Sequence, residues 1–213
     1  MRKAALFLLL ALAAGPASAG TVYYASNPAN DTGASLAFSA GPYDGIGDSI
    51  GLGSSLFGTD AILQLFNDGG SDGTFDATLT FFQAGSPVGA QIGSPFTLTG
   101  NTVAAGSYVD LDFALGYLSL PANVVFLLQV TNASTGVDLG VELYSNPTSI
   151  GTNTADTFIA LQGSTYSQLS TGGAGSGNPF FELSGVPEPS TWMLAGVGLA
   201  LTAWRRAGAR RRA

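Results

Sequence analysis

Apolar and polar residues alternate with a period of two through much of the chain between Gly20 and Gly185. The clearest examples are the segments 75–81 (FDATLTF), 108–115 (YVDLDFAL) and 137–143 (VDLGVEL), in which every second residue is apolar. Successive side chains of a β-strand point to opposite faces of the sheet. The alternation therefore predicts half-buried strands, with one face in the core and the other in water.

Other apolar segments lack this alternation. The segment 124–130 (VVFLLQV) is nearly continuous and predicts a strand buried on both faces, or nearly so. Shorter strands are predicted at Ser35–Ser39, Ala61–Phe66, Phe96–Thr99, Thr157–Leu161 and Phe180–Leu183. Turn-forming residues separate these segments, and no helical pattern appears before Trp192. We therefore predict an all-β fold, a single antiparallel β-sandwich of the jelly-roll type over residues 20–185, followed by a linker at 184–187.

Cysteine and histidine are both absent from the chain. Without cysteine the domain has no disulfides, so its stability depends on a hydrophobic core, for which residues 20–185 are long enough. The same absences exclude Ser-His-Asp and Cys-His nucleophiles and zinc sites built from His or Cys. Carboxylates, hydroxyls and amides are the groups left for chemistry in this domain.

The charges are segregated along the chain. All seven Lys and Arg residues lie at the two ends, with none between Ala4 and Trp204, and all 14 acidic residues lie between Asp31 and Glu188. Binding to nucleic acid or to an anionic lipid surface requires Lys or Arg side chains. We therefore exclude nucleic acid as a partner and expect the central domain to carry only negative charge.

The N-terminus has the three parts of a secretory signal peptide. Arg2 and Lys3 precede the apolar run 4–14, which is shorter than the roughly 20 residues of a membrane span. Ala17 and Ala19 then provide the small-x-small pattern that signal peptidase accepts. We predict that residues 1–19 are removed on export by this enzyme.

The C-terminus combines an apolar segment with a basic cluster. Residues 192–204 would cover about 20 Å as a helix, which is short for a hydrocarbon core about 30 Å thick. The basic residues that follow are Arg205, Arg206, Arg210, Arg211 and Arg212. Positive charge marks the cytoplasmic side of a membrane segment. The sequence thus predicts one short transmembrane helix with the domain outside the cell and the C-terminus inside.

The segment 186–191 (VPEPST), followed by an apolar helix and an arginine cluster, resembles the PEP-CTERM protein-sorting signal. That resemblance covers about the last 28 residues (186–213) and implies recognition and processing by exosortase, a membrane-embedded transpeptidase-like enzyme of Gram-negative bacteria that make exopolysaccharide. Pro187, Glu188 and Pro189 would be the recognised motif. An ordinary C-terminal anchor is the alternative, and it would keep the topology without the processing.

The domain before this tail resembles, more loosely, the β-rich choice-of-anchor domains. The stretches 60–68, 73–82, 87–89 and 120–121 carry the likeness. It implies a fold and a surface address, without an assigned biochemical activity.

An acidic loop at 67–76 (NDGGSDGTFD) offers oxygen ligands of the kind that Ca²⁺ takes. Its acidic members are Asp68, Asp72 and Asp76. The loop departs from an EF-hand, because Gly70 and Leu79 stand where acidic or amide ligands are expected. Asp and Gly are also the residues that tight turns select, so a Ca²⁺ site and a plain turn both stay open. No other cofactor is predicted.

Two further acidic groups attract attention. Asp110 and Asp112 lie two positions apart on a predicted strand, so both point to the same face. Such a pair suits a glycosidase, which uses two carboxylates about 5–10 Å apart around a sugar ring. A solvated sheet face has the same pattern. Asp44, Asp48 and Asp60 lie among glycines in another predicted loop.

The seven tyrosines lack the alternation of a core stripe, so we expect some of them to be exposed. Tyrosine faces with amide and carboxylate neighbours suit sugar rings, and tyrosine is equally common half-buried in sandwiches. We predict an exported, non-enzymatic protein of the cell surface or extracellular matrix, structural or adhesive, with exopolysaccharide as an expected partner. The alternatives are a carboxylate-dependent glycan-active enzyme and a Ca²⁺-dependent adhesion module.

Overall fold

The computed structural model describes residues 20–38, 43–153, 157–170 and 177–188. The strands, in chain order, are β1 (Thr21–Ala25), β2 (Asp31–Ala37), β3 (Gly45–Gly51), β4 (Leu56–Asn67), β5 (Gly73–Ala84), β6 (Val88–Val103), β7 (Tyr108–Leu120), β8 (Asn123–Thr131), β9 (Leu139–Tyr144), β10 (Thr157–Gln162), β11 (Thr165–Ser170), β12 (Asn178–Pro179) and β13 (Phe181–Pro187). One turn of 3-10 helix, Pro28–Asn30, is the helical element of these residues.

The strands form two antiparallel sheets. The first has the order β1-β13-β4-β9-β12, with β2 paired to β9 and β7 paired to β4. The second has the order β11-β10-β3-β8-β5-β6. Long hairpins build much of this topology, since β5 pairs with β6 and β10 pairs with β11. The prediction of an all-β antiparallel fold is confirmed.

The core lies between the two sheets and uses the alternating residues of both. From the first sheet, Ala61, Leu63 and Leu65 of β4 are fully buried. From the second, Phe126 lies at the centre of β8 and stacks on Phe181 of β13, with the ring centroids 4.0 Å apart. The contact joins the two sheets directly.

Strand β8 is buried on both of its faces, as its continuous apolar sequence predicts. Val124, Phe126 and Leu128 belong to the main core. Val125 and Leu127 point to the other face, where they form a second apolar cluster with residues of β5 and β10.

Each predicted strand corresponds to a strand among the described residues, although Phe38, Phe180 and the pair Val137–Asp138 lie outside the strands. Ser39, the last residue of the predicted strand 35–39, lies outside the described residues. Strands β1, β3, β11 and β12 were missed. In β3 (GIGDSIG) the glycines hide the strand pattern, because glycine has low strand propensity. Gly47 is needed there, since a Cβ atom at this position would overlap the carbonyl group of Phe126 on the neighbouring strand.

The prediction that Asp48 and Asp60 lie in a loop was wrong. Asp48 lies within β3 and is only 3% exposed, and Asp60 lies within β4. The Asp48 carboxylate accepts hydrogen bonds from the Ser49 amide and the Asn153 side chain, which offset the cost of its burial. The predicted linker 184–187 is also part of a strand, because β13 runs to Pro187 and pairs with β4.

Several predicted segments lie outside the described residues. They are the signal peptide 1–19, Pro189, the apolar segment 192–204 and the arginine cluster 205–212. Within the described part of the chain, no helix has the length and apolar character needed to cross a membrane.

Candidate functional site

The first two residues of the predicted sorting motif lie at the end of β13. Pro187 is paired with Leu56 of β4. The carboxylate of Glu188 accepts a hydrogen bond of 3.0 Å from the hydroxyl of Ser119, which lies on β7. The motif therefore starts on the folded domain itself, without a linker between them.

The two ends of the described domain leave the fold at the same place. Thr21, near the predicted start of the mature chain, lies opposite Gly185 in the antiparallel pair of β1 and β13. Continuing that register brings the residues before Thr21 beside those after Gly185. Thr21 and Gly185, close to the two ends of the described domain, thus lie side by side in the first sheet.

A cluster of polar and aromatic side chains forms on the outer face of the first sheet. We call it the tyrosine–carboxylate patch and define it as Asp31, Gln64, Tyr108, Asp110, Glu142 and Tyr144. Its residues come from β2, β4, β7 and β9, which the sheet places side by side.

Hydrogen bonds connect the members of the tyrosine–carboxylate patch. The Gln64 side-chain amide donates to Asp110 at 3.0 Å and accepts from the Tyr144 hydroxyl at 3.3 Å. The Tyr108 hydroxyl donates to Glu142 at 3.5 Å. The pairing of β4 with β7 places Gln64 opposite Asp110, so the arrangement follows from strand register.

The electrostatics of the patch favour neutral forms of its central groups. Burial, and next the nearby charge of Asp31, raise the pKa of Glu142 to about 7. The same two causes raise the pKa of Tyr144 to about 12. A carboxyl that is 2% exposed, beside the Asp31 carboxylate and in a domain without Lys or Arg, is expected to hold its proton more tightly than one in water.

Tyr108 is the exposed aromatic residue of the patch, with 53% of its surface open to solvent. Its ring packs against Phe66 with the centroids 4.8 Å apart, which holds the ring in place. The patch thus combines a supported aromatic ring with amide and carboxylate oxygens. These are the groups that can stack on a sugar ring and hydrogen-bond its hydroxyls.

The structure keeps the predicted pair of carboxylates, Asp110 and Asp112, on one face of β7. Asp110 and Asp112 are both exposed, but only Asp110 joins the patch through Gln64, while Asp112 lies opposite Ile62. Sequence reasoning missed the roles of Asp31 and Glu142. The alternation of β9 did mark Glu142 as a polar position, but nothing in the sequence aligned it with β7.

Asp72 and Asp76 of the acidic loop 67–76 make separate hydrogen bonds, and residues 73–76 of this predicted loop belong to β5. Asp72 accepts a hydrogen bond from the Ala105 amide at 2.8 Å. Asp76 accepts from the Asn132 side chain at 2.7 Å and from the Gly100 amide at 2.8 Å, and these bonds lower its pKa. Among the described residues, no three acidic side chains group as a metal would need. The Ca²⁺ site at Asp68, Asp72 and Asp76 stays a prediction.

Asn67 organises this loop and was not singled out from the sequence. Its side chain is fully buried and makes four hydrogen bonds. The amide nitrogen donates to the carbonyls of Ser71 and Ala104, and the amide oxygen accepts from the backbone of Gly69 and Asp138. One asparagine thus satisfies the backbone of three separate segments.

Comparison with known proteins identifies the C-terminal segment. Residues 185–212 match the family model of the PEP-CTERM protein-sorting motif. No curated protein matches the chain. The match includes Gly185 to Glu188, the residues that the structure places at the end of the sandwich. The chain therefore carries a PEP-CTERM sorting motif, which implies an exported, cell-surface protein that is sorted by exosortase.

Proposed function

We propose that the mature domain is a non-enzymatic structural or adhesive protein of the cell surface or extracellular matrix, and that it associates with exopolysaccharide. Its precursor is held in the inner membrane of a Gram-negative cell by the C-terminal segment, with the arginines in the cytoplasm. The proposal rests mainly on the sorting motif at residues 185–212, which is a signal for export and sorting to the cell surface.

The tyrosine–carboxylate patch supports the association with polysaccharide. Tyr108 offers a ring face, and Gln64 and Asp110 offer hydrogen-bonding groups beside it. The domain has no Lys or Arg, so an anionic chain would be repelled. The expected ligand is a neutral polysaccharide, or one whose charges are covered by cations.

A glycan-active enzyme is the second candidate, because a carboxyl with a pKa of about 7 resembles the general acid of a glycosidase. Glu142 is nevertheless only 2% exposed. A general acid must reach the glycosidic oxygen within hydrogen-bond distance. The burial of Glu142 therefore favours binding over hydrolysis.

Two measurements test the proposal. The first is the intact mass of the protein recovered from the native cell surface: a chain that begins at Gly20 and ends near Pro187–Pro189 supports export and sorting. A chain that still runs to Ala213 would contradict the processing and support only the predicted membrane topology.

The second measurement is co-sedimentation of that protein with the host exopolysaccharide. Tyr108→Asn should weaken binding about three- to tenfold, since it removes the stacking surface. Tyr117→Asn is the matched control, because Tyr117 is 61% exposed and lies outside the patch. Equal binding by both variants would remove the patch from the proposal. Release of reducing sugar that is lost in Asp110→Asn or Glu142→Gln would establish the enzyme instead.

A further inference from the structure

The sorting motif begins inside an internal strand of the sandwich. Gly185, Val186 and Pro187 pair with Gly58, Phe57 and Leu56 of β4. On its other side, Gly185 pairs with Thr21 of β1. Backbone hydrogen-bonding groups in this part of β13 are therefore engaged by neighbouring strands.

This end of β13 is also closely packed. A Cβ atom at Gly185 would lie 2.7 Å from the side chain of Leu56 and 2.7 Å from the carbonyl oxygen of Phe57. Such distances leave no room for a side chain, so the strand fits tightly against β4.

The contact of Glu188 with Ser119 extends this attachment beyond the strand. Phe57 of β4 pairs with Val186 on one side and with Ser119 on the other. The hydrogen bond from Ser119 to Glu188 therefore reaches across β4 and fixes the residue after β13 to a third strand. A hydrogen bond to a carboxylate is among the stronger contacts available to an exposed side chain.

The chain between this attachment and the membrane is short. Three residues, 189–191, separate Glu188 from Trp192, where the predicted membrane segment begins. An extended chain covers at most about 3.6 Å per residue, so the distance from Glu188 to Trp192 is at most about 14 Å. An enzyme embedded in the membrane would thus meet the motif while the sandwich still holds its first two residues.

We propose that Ser119 is a positioning residue that holds the sorting motif on the folded domain, and that residues 185–188 must detach from β4 and Ser119 before the tail is processed. The inference rests on the processing by exosortase proposed above. Its physical reason is that a peptide bound in an active site cannot at the same time be paired within a sheet. The stability of this strand end would then set how fast the protein leaves the membrane.

Five variants of the full chain, one of them a control, test this proposal in the native host, with tail removal measured by pulse-chase and intact mass. Ser119→Ala removes the donor and should speed tail removal by about two- to tenfold, the effect expected for one such hydrogen bond. Ser119→Thr keeps the hydroxyl and should match the wild type. A Gly-Ser linker inserted between Val186 and Pro187 should be processed fastest, and adding Ser119→Ala to it should change little. Ser94→Ala, at an exposed serine of β6, is the control for serine removal.

Processing of Ser119→Ala at or below the wild-type rate, or a linker variant slower than wild type, would overturn the proposal. Hydrogen exchange on the purified full chain in detergent provides a readout that needs no exosortase. The amides of Gly185 and Val186, which lie within β13, should be protected in the wild type and exchange faster in Ser119→Ala. Absence of that protection overturns the attachment. Protection without any tail removal in the host would instead overturn the sorting function and leave the attachment standing.

Discussion

Phe126 of β8 and Phe181 of β13 stack face to face across the core, with their ring centroids 4.0 Å apart and their planes 8° from parallel. Both rings are fully buried. The pair connects the centre of one sheet to the start of the strand that carries the sorting motif at its other end. The packing of the core and the position of the motif are therefore linked through β13.

The first prediction concerns this pair. Phe181→Ala should lower the free energy of unfolding by about 3–5 kcal/mol, because it removes a buried ring and leaves a cavity between the sheets. Urea denaturation of the purified domain measures the loss. Thr99→Ala, on the exposed face of β6, should stay within about 0.5 kcal/mol of the wild type. A loss below about 1 kcal/mol in Phe181→Ala would contradict the packing described for the core.

The second prediction compares two glycines. Gly47→Ala should destabilise the domain by about 3 kcal/mol or more, since the new Cβ would lie 2.7 Å from the carbonyl carbon of Phe126 and the backbone cannot yield easily. Gly70→Ala should be nearly neutral, because no atom lies within 4 Å of the new Cβ. Thermal melting of the two variants checks this. Similar melting temperatures would show that β3 and β8 do not approach as closely as described.

The third prediction concerns Asn67. Asn67→Ala should lower the free energy of unfolding by about 2–4 kcal/mol. The variant loses four hydrogen bonds, and the buried backbone groups of three segments lose their partner. Asn67→Asp should also destabilise, since a carboxylate cannot donate to Ser71 and Ala104. Chemical denaturation provides the measurement, and Asp68→Asn, at an exposed neighbour, is the control. Wild-type stability in Asn67→Ala would mean that the loop holds its shape by other contacts.

The fourth prediction tests the Ca²⁺ hypothesis in the same loop. If Asp68, Asp72 and Asp76 bind the ion together, the melting temperature should rise in millimolar Ca²⁺ and return with a chelator, because a ligand of the folded state stabilises it. Hydrogen bonds within the domain already engage Asp72 and Asp76, so we expect no shift in the melting temperature. A rise that disappears in Asp72→Asn would establish the site and revive the Ca²⁺-dependent adhesion module.

The fifth prediction concerns pH. The pKa of Glu142 is raised from 4.5 to about 7 in the folded domain, so its contribution to stability is complete below pH 4.5 and is lost as the pH rises through 7. Glu142→Gln should remove this dependence on pH. The melting temperature of the variant should therefore rise relative to that of the wild type as the pH increases from 5 to 8. In a domain of this size, a relative rise in melting temperature on the order of 2–4 °C corresponds to a difference of about 1 kcal/mol in the free energy of unfolding. Parallel pH profiles of the two proteins would contradict the raised pKa.

The sequence predicts most of the strands because their signal is local. In β5, β7 and β9 the alternation of apolar and polar residues is complete within one strand, and the apolar run of β8 reports burial on both faces. Strand β3 was missed because its glycines interrupt the alternation of apolar and polar residues. These glycines allow the close approach of β8. That requirement is visible only when the neighbouring strand is present.

The candidate patch depended still more on the fold. Asp31, Gln64, Tyr108 and Glu142 are separated by tens of residues, and each belongs to a different strand. Their meeting depends on the pairing of β2, β4, β7 and β9 and on the register of each pair. A shift of one residue would turn any of these side chains to the opposite face.

The sequence by itself determined the C-terminal sorting motif, the all-β class and the exclusion of histidine and cysteine chemistry, because each follows from residue types and their local order. Only the tertiary structure decided that Pro187 and Glu188 are held by β4 and β7, and that one acidic face contains a patch built around Tyr108 and Glu142. Those features arise from long-range strand pairing, whose register is set by the packing of the whole sandwich rather than by any single segment.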